Sequence, residues 1–366
     1  MKHNLITLTP LEPYFFGGER VFAYGEHTSK LAGGYFIKSL DTPSQTALFG
    51  ALRYLGIVKK NADYALDKEG KDKKNIGEAS FNMLKPGQEF GRINGISPLY
   101  LMDDKGDLYI RTPFDHSSGS EEQTYQPYRD YSPCLSTAGC GTDTEECRML
   151  PKDYQGKKGM FSGWLRQDGK QLIKDKDIFM PVVRPHVDKS RQEAEGFVKR
   201  QYTRLEAGWR FAFFACVADD FNFGRERVIY LGQKKSAFAV QIDDKTEPSP
   251  EEITKLLAHE RRPGQRFLYL QSDTFWGAEA DIACLYNCCS FAMTAVKEHR
   301  VFTTNYEKGG NHFQRYNKGE SVLKLLRAGG IFWTDKPEDV KKMIENEHFT
   351  HLKKAGFNRV VIGGEK

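Results

Sequence analysis

The sequence predicts an α+β fold, with antiparallel sheets and helices on one face, on three observations. The chain has 366 residues, more than one ordinary core encloses, so about two domains are expected. A strand, a capped helix and a further strand follow one another in each half. Short β-rich runs also come in pairs joined by brief glycine-containing turns, the pattern of hairpins.

The elements follow in order. Residues 4–8 alternate polar and apolar side chains and predict the first strand, after which Pro10, Pro13 and Gly17 turn the chain. Residues 40–56, LDTPSQTALFGALRYLG, predict a helix with Thr42 as N-cap, Pro43 at its first position and Gln45 placed to bond back to Thr42. Ala47, Leu48, Ala51, Leu52 and Leu55 recur at helical spacing as its buried face, Gly50 leaves room for another backbone, and Arg53 lies off the stripe. The tract DKEGKDKK, 67–74, reads as an exposed loop. Residues 99–102 and 108–110 flank DDKG and predict a hairpin.

Residues 115–163 are rich in Ser, Gly, Thr, Asp and Pro with little periodicity and read as an inserted loop region. Strands are expected again at 209–217, 228–231 and 237–242, the last two joined by a basic turn over Gly232, Gln233, Lys234 and Lys235. Ser249-Pro250-Glu251-Glu252 starts a second helix with Ile253, Leu256 and Leu257 on its apolar side. Strands at 268–270 and 331–333, a helix at 337–345 and a strand at 359–362 complete the chain. The expected division is an N-terminal domain, 1–175, carrying the insertion near 115–163, and a C-terminal domain, 176–366.

Composition excludes several classes of function. The longest apolar run, near 211–217, is far below the roughly 18 residues of a membrane span, and the N-terminus turns polar too early for a signal peptide. Seven cysteines, an odd number, fit a reducing cytoplasm better than a disulfide framework. Cys134, Cys140 and Cys147 lack the short knuckle spacing of a zinc site, so no metal and no cofactor is expected. A phosphate-cradling glycine loop ending in Lys-Ser or Lys-Thr is missing, and the glycine pairs fit no dinucleotide fingerprint. His27, His116, His186 and His312 are each able to serve acid–base cleavage of RNA, yet none has a local partner, so no catalytic residue is assigned.

Charge placement carries more than the net +5. Residues 184–210 hold seven Lys or Arg against four Asp or Glu, and residues 297–327 seven against three. These windows are interleaved with Phe197, Tyr202, Trp209, Phe302, Tyr306, Phe313 and Tyr316. Cations for phosphates beside rings for bases suit single-stranded nucleic acid.

Four N-terminal motifs stand in the order of a known family: Pro10-Leu11-Glu12-Pro13-Tyr14-Phe15-Phe16, the helix start with Gly50-Ala51-Leu52-Arg53, Ile96-Ser97-Pro98-Leu99-Tyr100, and Arg111-Thr112-Pro113-Phe114-Asp115. Arg184-Pro185-His186-Val187-Asp188, Glu195-Gly196-Phe197, the lead-in to Gly232 and the closing Ala355-Gly356-Phe357-Asn358-Arg359 continue the pattern. The set resembles RAMP proteins, and more narrowly the third-subunit family of Cmr-type, type III-B CRISPR effectors. Gln233 and Asn358 stand where that family carries glycine, and asparagine tolerates positive φ better than most residues.

The resemblance implies two ferredoxin-like, RNA-recognition-type domains forming a non-catalytic scaffold. Its partners would be the 5′ tag of the CRISPR RNA, a large cyclase-polymerase subunit, neighbouring RAMP backbone subunits and, through the complex, target RNA. A metal-independent RAMP endoribonuclease is the alternative. Candidate RNA contacts are Lys30 and Arg53 in the first half and Arg184, His186, Lys189, Arg191, Lys199, Arg200, Lys234 and Lys235 in the second. Gly33, Gly34, Gly50, Gly329, Gly330 and Gly363 are candidate places of close backbone approach.

Overall fold

The first strand, β1 (Lys2–Pro10), lies inside a sheet, paired with a strand on each side, and its residues 5–8 are buried. Ile6 and Leu8 enter one core cluster and Leu5 another. The computed structural model describes residues 1–17, 20–21, 35–57, 71–77, 81–117, 124–128, 131–135, 147–151, 154, 160–187, 197–225, 227–232, 235–258, 266–276, 288–300, 303–305, 314–316 and 322–364. His27, Lys30, Gly33, Gly34, Lys189, Arg191, Lys234 and His312 lie outside these residues.

After β1 come α1 (Gln45–Leu55), β2 (Ile93–Ile96), β3 (Tyr100–Met102), β4 (Leu108–Arg111), β5 (Gly163–Arg166), β6 (Leu172–Lys174), β7 (Phe179–Val187), β8 (Phe197–Leu205) and β9 (Arg210–Val217). Then follow β10 (Val228–Leu231), β11 (Ser236–Asp244), α2 (Pro250–Ala258), β12 (Phe267–Leu270), β13 (Phe291–Met293), β14 (Ile331–Trp333), α3 (Pro337–Ile344) and β15 (Val360–Gly363). A nine-stranded sheet runs β6-β5-β4-β3-β9-β1-β11-β10, with β2 also against β9. A four-stranded sheet runs β13-β14-β12-β15.

One strand order occurs twice. Counted along the chain, β1, β3, β9 and β11 lie in space as second, third, first, fourth, with every neighbour antiparallel. The strands β12, β13, β14 and β15 repeat that order, again antiparallel throughout. The larger sheet takes strands from both sides of residue 175, since β1 sits between β9 and β11.

Alternation along these strands stacks the layers. Ile6, Leu8, Phe211, Phe213, Phe238 and Ile229 face α1, meeting Leu48, Leu52 and Leu55. On the opposite face Leu5, Tyr100, Ala212 and Phe214 pack with Phe267, Tyr269, Ile331 and Trp333 of the smaller sheet. That sheet turns Leu268, Leu270, Phe332 and Val360 to Val340 and Ile344 of α3. Each fully buried side chain of this size contributes roughly 1.5–3 kcal/mol.

Ser44, not Thr42, caps α1: its hydroxyl accepts from the Ala47 N–H at 3.3 Å. Gln45 does not reach back to Thr42, because its amide donates instead to the Ser97 carbonyl at 2.6 Å and ties the helix to the loop before β3. At α2 the expected capping box forms in both directions, Ser249 N–H to Glu252 at 2.8 Å and Glu252 N–H to Ser249 Oγ at 3.2 Å. The tract expected as a loop at 67–74 forms a short helix, Lys71–Ile76, in its described part. The insertion holds a hairpin of Tyr131–Leu135 against Cys147–Pro151.

Asn358 has φ of 54° in the final turn. Its side chain accepts from the Phe275 N–H at 2.8 Å and donates to the carbonyls of Phe275 and Ile344, both at 3.0 Å. The side chain thus satisfies buried backbone groups that a glycine would leave to others.

Candidate nucleic-acid interface

The paired strands β7 and β8 form a basic hairpin, a pairing the residue pattern did not show, and β7 carries both Pro181 and Pro185. The backbone explains why the prolines fit. Thr203, opposite Pro181, exchanges both of its hydrogen bonds with Tyr14 on the far side of β8. By alternation, residues 181 and 185 turn their nitrogens out of the sheet, where no ladder donor is needed. On its other side β8 runs parallel to Tyr35–Lys38.

Register sets Arg184 directly opposite Arg200, with Val182 opposite Tyr202 and Met180 opposite Arg204, all on one face. The Arg184 guanidinium carbon stands 5.2 Å from the Tyr202 ring centroid, and that ring leans on Phe15 at 5.4 Å. Arg184 and Arg204 are exposed. Arg200 is half-buried, and its Nη1 is buried without a hydrogen-bond partner among the described residues. Like charges set opposite one another in a sheet are unfavourable unless an anion lies between them.

Asp41 meets the other face of β8. Thr203 donates its hydroxyl to Asp41 at 3.2 Å. Burial raises the Asp41 pKa above the usual carboxylate range, Asp175 adds to the rise, and Lys38 opposes it. The face carrying Arg184, Arg200, Tyr202 and Arg204 therefore offers cations around one ring, and it is able to take phosphates at its guanidinium groups and a base against the Arg184 plane.

Other candidate residues fall in several places. His186 pairs with Val198 and Lys199 with Pro185 in the hairpin register. Lys235 is exposed with φ of 54° in the turn after β10. That turn rests on Phe15, since a Cβ at Gly232 would strike the Phe15 carbonyl, so turn and hairpin meet at one residue.

Arg53 corrects an expectation. It is buried, and its Nε donates to the Ile76 carbonyl at 3.0 Å, so it braces the end of α1 instead of facing solvent. Gly329, Gly330 and Gly363 are buried as well. A Cβ at Gly329 would lie 2.8 Å from Phe114, one at Gly330 2.8 Å from Leu270, and one at Gly363 would clash with the tip of the Phe267 ring. They make room for packing within the chain, not for RNA. Gly50 is exposed on α1, and a Cβ there would meet nothing within 4 Å.

The segment Arg111 to Asp115 turns out to join the two sheets. Arg111 holds Asp175 at 2.7 and 2.8 Å, Tyr269 donates to the Arg111 carbonyl at 2.5 Å, and the Phe114 N–H donates to the Gly329 carbonyl at 2.8 Å. His116 follows, 2% exposed, with its pKa lowered by burial to about 4. A sealed, neutral imidazole is no acid–base catalyst for an outside strand. Among the described residues no group of three His, Cys, Asp or Glu is set to hold a metal, and no helix is long and apolar enough to cross a membrane.

The family described as CRISPR-associated protein (Cas_Cmr3) matches residues 6–365. No curated relative matches the chain. In fold the chain is similar to a chain of the cryo-EM structure of the Type III-B Cmr-beta bound to cognate target RNA, with TM-score 0.50 and 14% identity, covering 100% of this chain and 99% of that one. A chain of the same assembly bound to cognate target RNA and AMPPnP gives TM-score 0.48 and 12% identity, covering 99% of each.

Proposed function

The chain belongs to the CRISPR-associated Cas_Cmr3 family, and on that premise we propose that it is an RNA-binding scaffold subunit of a cytoplasmic type III-B effector. It holds the 5′ tag of the CRISPR RNA and joins a large cyclase-polymerase subunit to the RAMP backbone subunits. It performs no chemical step of its own. The observation that carries this reading is Arg184 facing Arg200 across the hairpin, one stacked on Tyr202 and the other with a buried, unpartnered Nη1. A polyanion supplies what that pair lacks.

The repeated strand order supports two ferredoxin-like units, since second-third-first-fourth with antiparallel neighbours is the order of that fold. The first such unit closes on β11. The proposed boundary therefore moves from 175/176 to the segment between β11 and α2, because a cut at 175 would separate β1 from both of its partners.

The test is a complex reconstituted with Arg184→Ala and Arg200→Ala together. Guide RNA should dissociate at lower salt than from the unchanged complex, and the logarithmic salt slope should fall by about 0.7 per lost phosphate contact. Normal guide retention at elevated salt, with an unchanged slope, would show that this face does not hold the RNA.

A further inference from the structure

The strand β10 closes one end of the nine-stranded sheet, and among the described residues no strand pairs with its outer edge. The direction of its backbone groups follows from two bonds. Val240 N–H donates to the Arg227 carbonyl, and Leu11 N–H donates to the Ala237 carbonyl on the far side of β11. With Ile229 opposite Phe238 and Tyr230 opposite Ala237, residues 227, 229 and 231 turn inward to β11. Val228 and Tyr230 turn their N–H and C=O outward.

Those two residues also carry exposed apolar side chains, 38% and 61% accessible. Ala239 and Ala237 stand opposite them, with Thr9 beside Ala239, so small side chains continue the same face. Open edges are usually blunted by charges, prolines or bulges along their length. Here the middle is apolar, and the cations stand at the ends: Arg225 and Arg227 before it, Lys235 after it, all exposed.

We infer that the outer edge of β10 receives an extended strand from a neighbouring protein subunit, one with acidic residues flanking an apolar middle. Strand addition at an edge draws affinity from backbone bonds and selectivity from side chains on alternate positions. A second copy of this chain is a poor occupant, because antiparallel pairing of two β10 strands brings Arg225 and Arg227 of one toward Lys235 of the other. RNA is disfavoured by the outward carbonyls of Val228 and Tyr230, which require donors spaced as in a strand.

The inference rests on the reading of this chain as an effector subunit, and amide hydrogen exchange separates the two. The free chain, the chain with repeat RNA, and the chain in a complex assembled from the remaining subunits and guide RNA are compared. The Val228 and Tyr230 amides should exchange at least about tenfold more slowly in the complex only. Incorporation without protection at these amides would overturn the edge while leaving the subunit reading intact, and protection by RNA alone would overturn it in favour of a nucleic-acid surface. Failure to incorporate at all would sink the subunit reading and the edge with it. Tyr230→Pro removes an outward N–H while sparing the inner ladder, and should weaken incorporation about tenfold more than Tyr230→Ala, with thermal melts of the free variants checking that each folds. Arg225→Glu with Lys235→Glu should weaken it as well, and equal incorporation of all these variants would refute the proposal.

Discussion

Trp333 donates its indole N–H to Asp115 at 3.2 Å, across 218 positions of sequence. The same buried carboxylate accepts from Tyr125 at 2.7 Å. One acid at the mouth of the insertion thereby satisfies donors from the smaller sheet and from the insertion itself.

Asp115→Ala should destabilise the chain by about 2–4 kcal/mol, since two buried donors lose a charged acceptor. Urea unfolding of Asp115→Ala and Asp115→Asn checks this. Asn keeps an acceptor and should cost less. An alanine variant within about 0.5 kcal/mol of the parent would show that the bond holds nothing together.

Arg184→Gln separates binding from stability. Removing one of two facing cations should leave unfolding free energy unchanged or raise it by up to about 1 kcal/mol. RNA binding should weaken, with a shallower salt dependence. Loss of stability alongside loss of binding would mean that Arg184 acts through packing on Tyr202.

His116 makes stability depend on pH in a fixed direction. Its folded pKa, about 4, lies below the ordinary 6.5, so the unfolded chain binds the proton more readily between those values. Stability from this residue is fully present above about pH 6.5 and falls as pH drops toward 4, by about 2–3 kcal/mol. The Gln126 N–H, which donates to Nδ1 at 3.0 Å, would face a proton on that nitrogen. Comparing the melting temperature of His116→Asn with the parent from pH 7.5 to 4.5 checks the sign, and the variant should show the flatter profile.

Two glycine-to-alanine changes should act in opposite directions. Gly50→Ala adds a methyl to open space on an exposed helix and should stabilise by about 0.5–1 kcal/mol. Gly329→Ala meets Phe114 and Thr112 at φ of 97° and should cost about 1–3 kcal/mol. Thermal melts distinguish them. If Gly50→Ala raises the melting temperature yet impairs assembly with the other subunits, α1 is a docking surface.

Local chemistry made much of the fold legible. The capping box at Ser249, the DDKG hairpin, the strands at 209–217 and 228–231 and the asparagine at 358 all follow from near neighbours: side chains reaching backbone three residues away, alternation over a few positions, a tolerated positive φ. Those signals survive without knowledge of what lies across the sheet. The basic, aromatic character of 184–210 was visible in the same way.

Tertiary structure decided what depends on pairing between distant segments. Pro181 and Pro185 belong to a strand only because that strand is an edge whose nitrogens point outward, and no local rule states which strand is an edge. Arg53 looked solvent-facing by helical phase, but the Ile76 carbonyl came to meet it. Gly329, Gly330 and Gly363 yield space to aromatic and leucine side chains remote in sequence. The proposed division of the chain rests on the position of β1 between β9 and β11, set by hydrogen bonds to residues more than 200 positions away. Sequence alone determined which segments carry charge, rings and turns; the fold decided which of them face solvent, because burial is a property of the partners that cover a residue and not of the residue itself.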